Sequence, residues 1–239
     1  MNPYINMIIV CVVFVIIGAL LGNGAVYFFN RIPAKWLVDY GEEPDEELLH
    51  PSVQRVKSTP WKFIFTGFFI VVGVKLGLSD PNYAFAAVLA MWLLLEMSIA
   101  DIKYMIVPDQ FILLLLVCGI GLIPSLDGSL KNSIAGACAG LLVLGLMAII
   151  GRLIYKQTAV GGADIKLFTV LGLLTGLSGI VFIFVTSTFA SAGHFVILLI
   201  RKKAKRTDRR PMVPYIAAAA AFYMIFLEKW LYDGFNILI

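Results

Sequence analysis

Charged and metal-binding side chains are scarce in this chain of 239 residues, of which only 14% are charged. It has three cysteines, Cys11, Cys118 and Cys138, and two histidines. The cysteines are far apart and lie in apolar segments, which excludes a disulfide framework or a cysteine zinc site and indicates small packing residues. No His-Glu-x-x-His sequence is present, so a zinc metalloprotease has no support either.

Hydrophobic residues, by contrast, make up 60% of the chain, and the mean hydropathy is +0.92. This is far too apolar for a soluble domain of this length. A helix crosses a bilayer with about 20 mostly apolar residues. We therefore predict an all-α polytopic membrane protein, a single integral membrane domain over residues 1–239, with about eight transmembrane helices. The predicted spans are Ile5 to Phe29, Phe63 to Leu78, Tyr83 to Ala100, Ile106 to Ile123, Ile134 to Ile154, Ile165 to Leu177, Ile180 to Ile200, and Tyr215 to Leu231.

The sixth and seventh spans are separated only by the sequence Gly176-Leu177-Ser178-Gly179. A single helix from Ile165 to Ile200 would be about 50 Å long, well beyond a hydrocarbon core of roughly 30 Å. Because the glycines provide a turn midway, we predict two spans here, of which the sixth is short.

The distribution of lysine and arginine predicts the orientation. Eight spans place 16 of the 19 basic residues in the first, third, fifth and seventh connections, leaving Lys75, Lys131 and Lys229 elsewhere. The positive-inside rule then puts those connections in the cytoplasm and both termini outside. The first span is expected to be an uncleaved anchor. The net charge of +4 is concentrated next to the membrane, which indicates contact with lipids and not with nucleic acid.

The longest polar segment is the first connection, from Asn30 to Trp61. It is too short to bury a core of its own, so we expect a cytoplasmic loop or small helical flap.

Asp101 and Asp164 are the strongest functional candidates. Each ends or begins an apolar span, where a carboxylate is costly, and the predicted topology places both at the cytoplasmic face. Two carboxyl groups around one water share a proton, so that one accepts a proton from the water while the other polarises a carbonyl. The structural alternative is that each Asp simply anchors a helix end at the interface.

Four segments then support a resemblance. Val160-Gly161-Gly162-Ala163-Asp164-Ile165-Lys166-Leu167 resembles the Gly-x-Gly/Ala-Asp signature of intramembrane aspartyl proteases, in the form seen in bacterial type IV prepilin peptidases. Asn30-Arg31-Ile32-Pro33 resembles the family's segment after the first span. Asp101 with Val107-Pro108-Asp109 resembles its first catalytic region, and Pro211-Met212-Val213-Pro214-Tyr215 resembles its entry to the last span.

The resemblance implies a catalytic pair, Asp101 and Asp164, that cleaves the basic leader from type IV prepilins or pseudopilins at the cytoplasmic face of the bacterial plasma membrane. Many members carry two Cys-x-x-Cys pairs in the first connection and methylate the new terminus using S-adenosylmethionine. This connection has no cysteine, so zinc is not expected. S-adenosylmethionine is expected only if methylation is retained, and the peptidase activity needs no cofactor.

The residues around the catalytic pair have both structural and functional interpretations. Asp109, after Pro108, is either an N-cap or a supporting residue. Glu96 either tunes the aspartates or pairs with a polar neighbour. The remaining supporting candidates are Gly161, Gly162 and Ala163, which permit close backbone approach, and Lys103 and Lys166, interpreted as lipid headgroup contacts.

An acidic run in the first connection either belongs to a solvated loop or attracts the basic leader of the substrate electrostatically. The predicted leader contacts are Glu42, Glu43, Glu46 and Glu47.

Two other functions compete with the peptidase. Gly176-Leu177-Ser178-Gly179 matches the rhomboid serine protease sequence, with His194 in the next span, but Ser178 and His194 should be roughly 22 Å apart in depth. A proton- or cation-coupled transporter would use Asp101, Asp164 and Glu96 near mid-membrane. The two aspartates are instead predicted at helix ends on one side.

Overall fold

A computed structural model describes residues 3–39, 41–49, 54–122, 130–155, 161–203, 205 and 210–228. The described residues form helices and no strand, which confirms the all-α prediction. The helices are α1 (Pro3–Arg31), a 3-10 turn (Ala34–Trp36), α2 (Glu46–Leu49), α3 (Trp61–Ser79), α4 (Pro81–Tyr104), α5 (Asp109–Ile120), α6 (Leu130–Tyr155), α7 (Gly162–Ile200) and α8 (Val213–Phe222), continued by a π-helical turn (Tyr223–Leu227).

Within the described residues, five helices are long and apolar enough to cross a membrane, namely α1, α3, α4, α6 and α7. Two shorter apolar helices, Asp109–Ile120 and Val213–Leu227, complete the set. All eight predicted spans fall on these seven segments, because α7 contains two of them. Ile123 and residues 229–231, at the ends of the predicted fourth and eighth spans, lie outside the described residues.

Helix α7 is bent back on itself at Gly176. This residue has φ 68° and ψ −174°, a conformation that glycine adopts without steric cost. The rings of Phe168 and Phe184 lie 6.0 Å apart, whereas sixteen residues of straight helix would separate them by about 24 Å. The first arm, residues 162–175, therefore packs against the second, residues 177–200. The predicted break between the sixth and seventh spans is confirmed.

The chain divides into two compact units, Met1–Glu96 and Met97–Ile239. In the first unit, α1 packs closely against α3, because Gly18 and Gly22 leave room for the backbone of the neighbouring helix. A Cβ at Gly18 would lie 2.6 Å from the Ile70 nitrogen, and one at Gly22 would lie 2.3 Å from the Thr66 Cα. The Trp92 indole N–H of α4 donates to the Leu21 carbonyl at 3.0 Å. Such Gly-x-x-x-Gly spacing is typical of close helix packing in membranes.

The first connection folds back onto the end of α1. Asn30 Nδ2 donates to the Val56 carbonyl at 3.0 Å, and the Val56 N–H donates to Asn30 Oδ1 at 2.8 Å. The Arg55 guanidinium donates to the carbonyls of Phe29 and Ile32, which the end of a helix leaves without intrahelical partners. These hydrogen bonds hold the start of the predicted loop or flap, at Asn30, next to Arg55 and Val56 near its end.

In the second unit, α6 and the first arm of α7 are in backbone contact. A Cβ on Gly172 would lie 2.1 Å from the Gly136 carbonyl oxygen, and one on Gly140 would lie 2.4 Å from that of Phe168. Asn132 Oδ1 of α6 accepts the Leu177 N–H at the bend, at 3.0 Å. Helix α6 thus supports α7 from its bend towards its first turn.

Candidate active site

Asp101 lies in the last turn of α4, and its side chain is only 6% exposed. The helix ends three residues later, where Met105 adopts a φ of 56° and its N–H donates to the Asp101 carbonyl at 2.9 Å. Pro108 then occupies the N-cap position of α5. Asp101 is therefore followed by a short connection, residues 105–108, before the next apolar helix begins.

Backbone N–H groups at the start of α8 bind the Asp101 carboxylate. The Val213 N–H donates to Oδ2 at 2.8 Å, and the Met212 N–H donates to the same carboxylate. The first N–H groups of a helix have no intrahelical acceptor, so they are available to an anion. Sequence reasoning identified Pro211 and Pro214 as the entry to the last span, but it did not predict that this entry binds Asp101.

Asp164 is the third residue of α7, and Gly161 is the N-cap of that helix. The Gly161 N–H donates to the Asp164 carboxylate, which is half of a capping box. A Cβ on Gly161 would lie 3.1 Å from Asp164 Oδ2, whereas a Cβ on Gly162 would meet nothing within 4 Å. Of the two glycines predicted to permit close approach, Gly161 is the one against which the carboxylate packs.

The fold brings the two aspartates into electrostatic contact. The charge of Asp101 acts directly on Asp164, although the two residues belong to different helices. One lies at the C-terminal end of an apolar helix and the other at an N-terminal end. Two carboxyl groups in this relation do not ionise independently of each other, because like charges disfavour the ionised form.

Asp109 and Lys166 form an ion pair that sequence reasoning did not predict. Lys166 Nζ lies 2.9 Å from Asp109 Oδ1 and 2.7 Å from Oδ2. Pro108 is the N-cap of α5, so the interpretation of Asp109 as an N-cap is wrong. In the structure the Lys166 ammonium group binds Asp109, and its interpretation as a lipid headgroup contact stays a prediction. Both predictions treated each residue within its own helix, whereas the partner lies on another helix.

An apolar groove of about 440 Å³ includes Ile165, the residue that follows Asp164, in its lining. It is lined by residues of α5, α6 and α7, and the Asp109–Lys166 pair contributes the charged groups of its wall. The Thr169 hydroxyl is already bonded to the Ile165 carbonyl at 2.7 Å. The apolar lining comprises Ile112, Leu113, Leu116, Leu141, Ile165 and Val170.

The other predicted site residues differ widely in their exposure. Glu96 is fully buried, and neither carboxylate oxygen has a hydrogen-bond partner among the described residues. The prediction that it pairs with a polar neighbour is not met there. Lys103 is exposed, and Ala163 is half-buried. Glu42 and Glu43 are exposed, while the side chains of Glu46 and Glu47 lie outside the described part of the chain.

Ser178 and His194 interact with different residues. Ser178 hydrogen-bonds to Tyr223, and His194 contacts the Tyr215 hydroxyl. These tyrosines are eight positions apart along α8 and its continuation, which is about 12 Å of helix. The arrangement does not favour a serine protease. No group of three or more metal-ligating side chains occurs in the ranges that the structure describes.

The fold and site together define a polytopic helical membrane protein with two coupled carboxyl groups at the ends of apolar helices. Residues 87–197, which include both aspartates, match the model of the Type IV leader peptidase family. No solved structure gives a significant match to the chain.

Curated relatives carry the name Prepilin leader peptidase/N-methyltransferase. The chain is 30% identical to the Bacillus subtilis (strain 168) protein over 64% of its own length and 59% of that relative. It is 28% identical to the Aeromonas hydrophila protein over 69% of its own length and 58% of the relative. It is 32% identical to the Pseudomonas aeruginosa protein over 56% and 47%. The matches thus span about half of each relative's length.

Proposed function

We propose that this protein is a membrane aspartic endopeptidase that removes the leader of type IV prepilins or pseudopilins. The observation that carries the proposal is the electrostatic coupling of Asp101 and Asp164, both within the region that matches the family. Relatives named as prepilin leader peptidases support the choice of substrate.

The two carboxyl groups share one proton and hold one water. The ionised carboxylate takes a proton from the water as its oxygen bonds to the scissile carbonyl carbon, and the neutral carboxyl protonates the carbonyl oxygen. The tetrahedral diol then collapses. Its C–N bond breaks as a dyad proton passes to the leaving nitrogen and one diol hydroxyl returns its proton to the dyad, so that a carboxylic acid and an amine are released. The dyad finishes singly protonated, as it began.

The backbone donors hold each carboxyl group in place while its proton moves. Asp101 is bound by the N–H groups of Met212 and Val213, and Asp164 is bound by that of Gly161. Fixed dipoles of this kind need no reorganisation during the reaction. The groove between α5, α6 and α7 suits the apolar helix of a prepilin, because most of its lining residues are aliphatic.

We further propose that the protein lies in the bacterial inner membrane, with both termini outside and the dyad at the cytoplasmic face, among anionic lipids. The bias of lysine and arginine towards the odd connections supports this orientation. The exposed Glu42 and Glu43 are suited to attract a basic leader.

S-adenosylmethionine does not fit the groove described here. The Asp109 carboxylate, which could favour its sulfonium cation, is already neutralised by Lys166. The Thr169 hydroxyl is also engaged, so an adenine ring would meet aliphatic side chains. The methyltransferase part of the relatives' name therefore has no role in this mechanism.

The proposal is tested with purified protein and a synthetic prepilin that has a basic leader and an apolar helix. Asp101→Asn and Asp164→Asn should each abolish cleavage, since either amide removes the shared proton site, whereas Ser178→Ala should cleave at the parent rate. Each variant is first checked for an unchanged thermal unfolding midpoint in detergent. Full cleavage by either asparagine variant would exclude the aspartic mechanism.

The transporter hypothesis is not favoured, and a further variant distinguishes it from the peptidase. A transporter would require Glu96 and the two aspartates to bind or relay cations in succession, yet Glu96 has no polar partner in the described residues. Proton uptake by vesicles containing the parent protein, lost in Glu96→Gln, would support the transporter instead.

A further inference from the structure

We propose that the Asp109–Lys166 ion pair sets the spacing between the Asp101 and Asp164 carboxyl groups. Its two charge-assisted hydrogen bonds, at 2.9 and 2.7 Å, join the first residue of α5 to the fifth residue of α7. The inference rests on the proposed peptidase function. It assigns positioning roles to two residues that do not themselves touch the substrate bond.

Each partner of the pair is close along the chain to one of the aspartates. Asp109 follows the four-residue connection from α4, whose first residue, Met105, is bonded to the Asp101 carbonyl. Lys166 is two residues beyond Asp164 on α7. The ion pair therefore links the two aspartates through the backbone. The connection joins Asp101 to Asp109, the ion pair joins Asp109 to Lys166, and one helix joins Lys166 to Asp164.

The direction of the Lys166 side chain also indicates that it acts on the two aspartates indirectly. Residues two apart on a helix point about 200° away from each other, so Lys166 faces away from the Asp164 side chain. Its ammonium group binds the Asp109 carboxylate on the neighbouring helix. We infer that it acts on the dyad by fixing the backbone of the first turns of α5 and α7.

The Asp109–Lys166 pair is not needed for the stability of the fold. The side chains are 55% and 26% exposed, and partly exposed ion pairs contribute little to the free energy of unfolding. The packing of α6 against α7 through Gly136 and Gly172 already holds α7 in the second unit. Loss of the ion pair should therefore change the geometry of the dyad more than the stability of the protein.

The test compares neutral and charge-conserving variants in cleavage of the synthetic prepilin. Asp109→Asn and Lys166→Met should each lower kcat by about 10- to 100-fold with KM nearly unchanged, because small displacements of reacting groups are costly. Lys166→Arg, which keeps a bidentate partner for Asp109, should retain most of kcat. Lys131→Met, at an exposed lysine of α6, is the matched control and should behave as the parent.

The double variant Asp109→Asn/Lys166→Met distinguishes a pair from two independent residues. Its kcat should equal that of either single variant, since the interaction is already lost in each. Multiplied losses, an unchanged kcat in the single variants, or a fall in unfolding midpoint that matches the loss of activity would each overturn the proposal. If Asp101→Asn and Asp164→Asn also cleave normally, the failure lies in the proposed function itself.

Discussion

At the scale of single residues, the site depends on how backbone groups contact carboxylates. Gly161 is an N-cap with φ −67° and ψ 142°, a conformation that any residue adopts. Its importance lies in its missing side chain, because the Asp164 carboxylate occupies the space beside it. Sequence reasoning predicted that glycine was needed for close approach, but only the coordinates distinguish Gly161 from Gly162.

Gly161→Ala should impair catalysis without unfolding the protein. The added Cβ would lie 3.1 Å from Asp164 Oδ2 and push the carboxylate aside. We expect kcat to fall by about 10- to 100-fold, as for other small displacements of reacting groups. Gly193→Ala makes the same change later in α7, where a Cβ meets nothing within 4 Å, and it should keep the parent rate in the same assay. Equal rates for the two variants would contradict this account.

At the scale of helices, the long apolar α7 shows what periodicity and length can predict. A helix from Gly162 to Ile200 is too long for a bilayer, and the glycines around residue 176 indicated where it turns. The choice of packing partner was not predictable, since Gly136 and Gly172 become neighbours only when α6 and α7 meet. The same limit applies to the Asp109–Lys166 pair, which joins residues on different helices.

We predict that the groove between α5, α6 and α7 binds the apolar helix of the substrate. Leu113 lines the groove, whereas its neighbour Leu114 does not, although both are exposed. Leu113→Trp should fill part of the groove and raise KM for a prepilin by about 10-fold, which is the size of effect expected when an apolar pocket loses a good fit. Leu114→Trp should leave KM unchanged. If both variants cleave with the parent KM, the substrate helix binds elsewhere.

At the scale of the whole molecule, the distribution of charge predicts the orientation in the membrane. Lys131 begins α6 in a connection with few basic residues, and Lys203 follows α7 in the most basic connection. Moving charged groups across a bilayer is unfavourable, so these two positions should face opposite compartments.

Cysteine labelling measures this directly. In intact cells, a membrane-impermeant thiol reagent should label Lys131→Cys, whereas Lys203→Cys should be labelled only after lysis. The parent chain, with its three native cysteines, gives the background. Labelling of Lys203→Cys alone before lysis would reverse the proposed topology and place the dyad on the outer side.

The sequence by itself determined the class of fold, the positions of the apolar helices, the break at Gly176 and the choice of Asp101 and Asp164. These features depend on hydrophobic length, glycine and the cost of charge in lipid, all of which act locally along the chain. Only the tertiary structure decided that Met212 and Val213 bind Asp101 and that Lys166 pairs with Asp109. These contacts join residues of different helices, and a linear pattern does not contain the packing that brings such residues together.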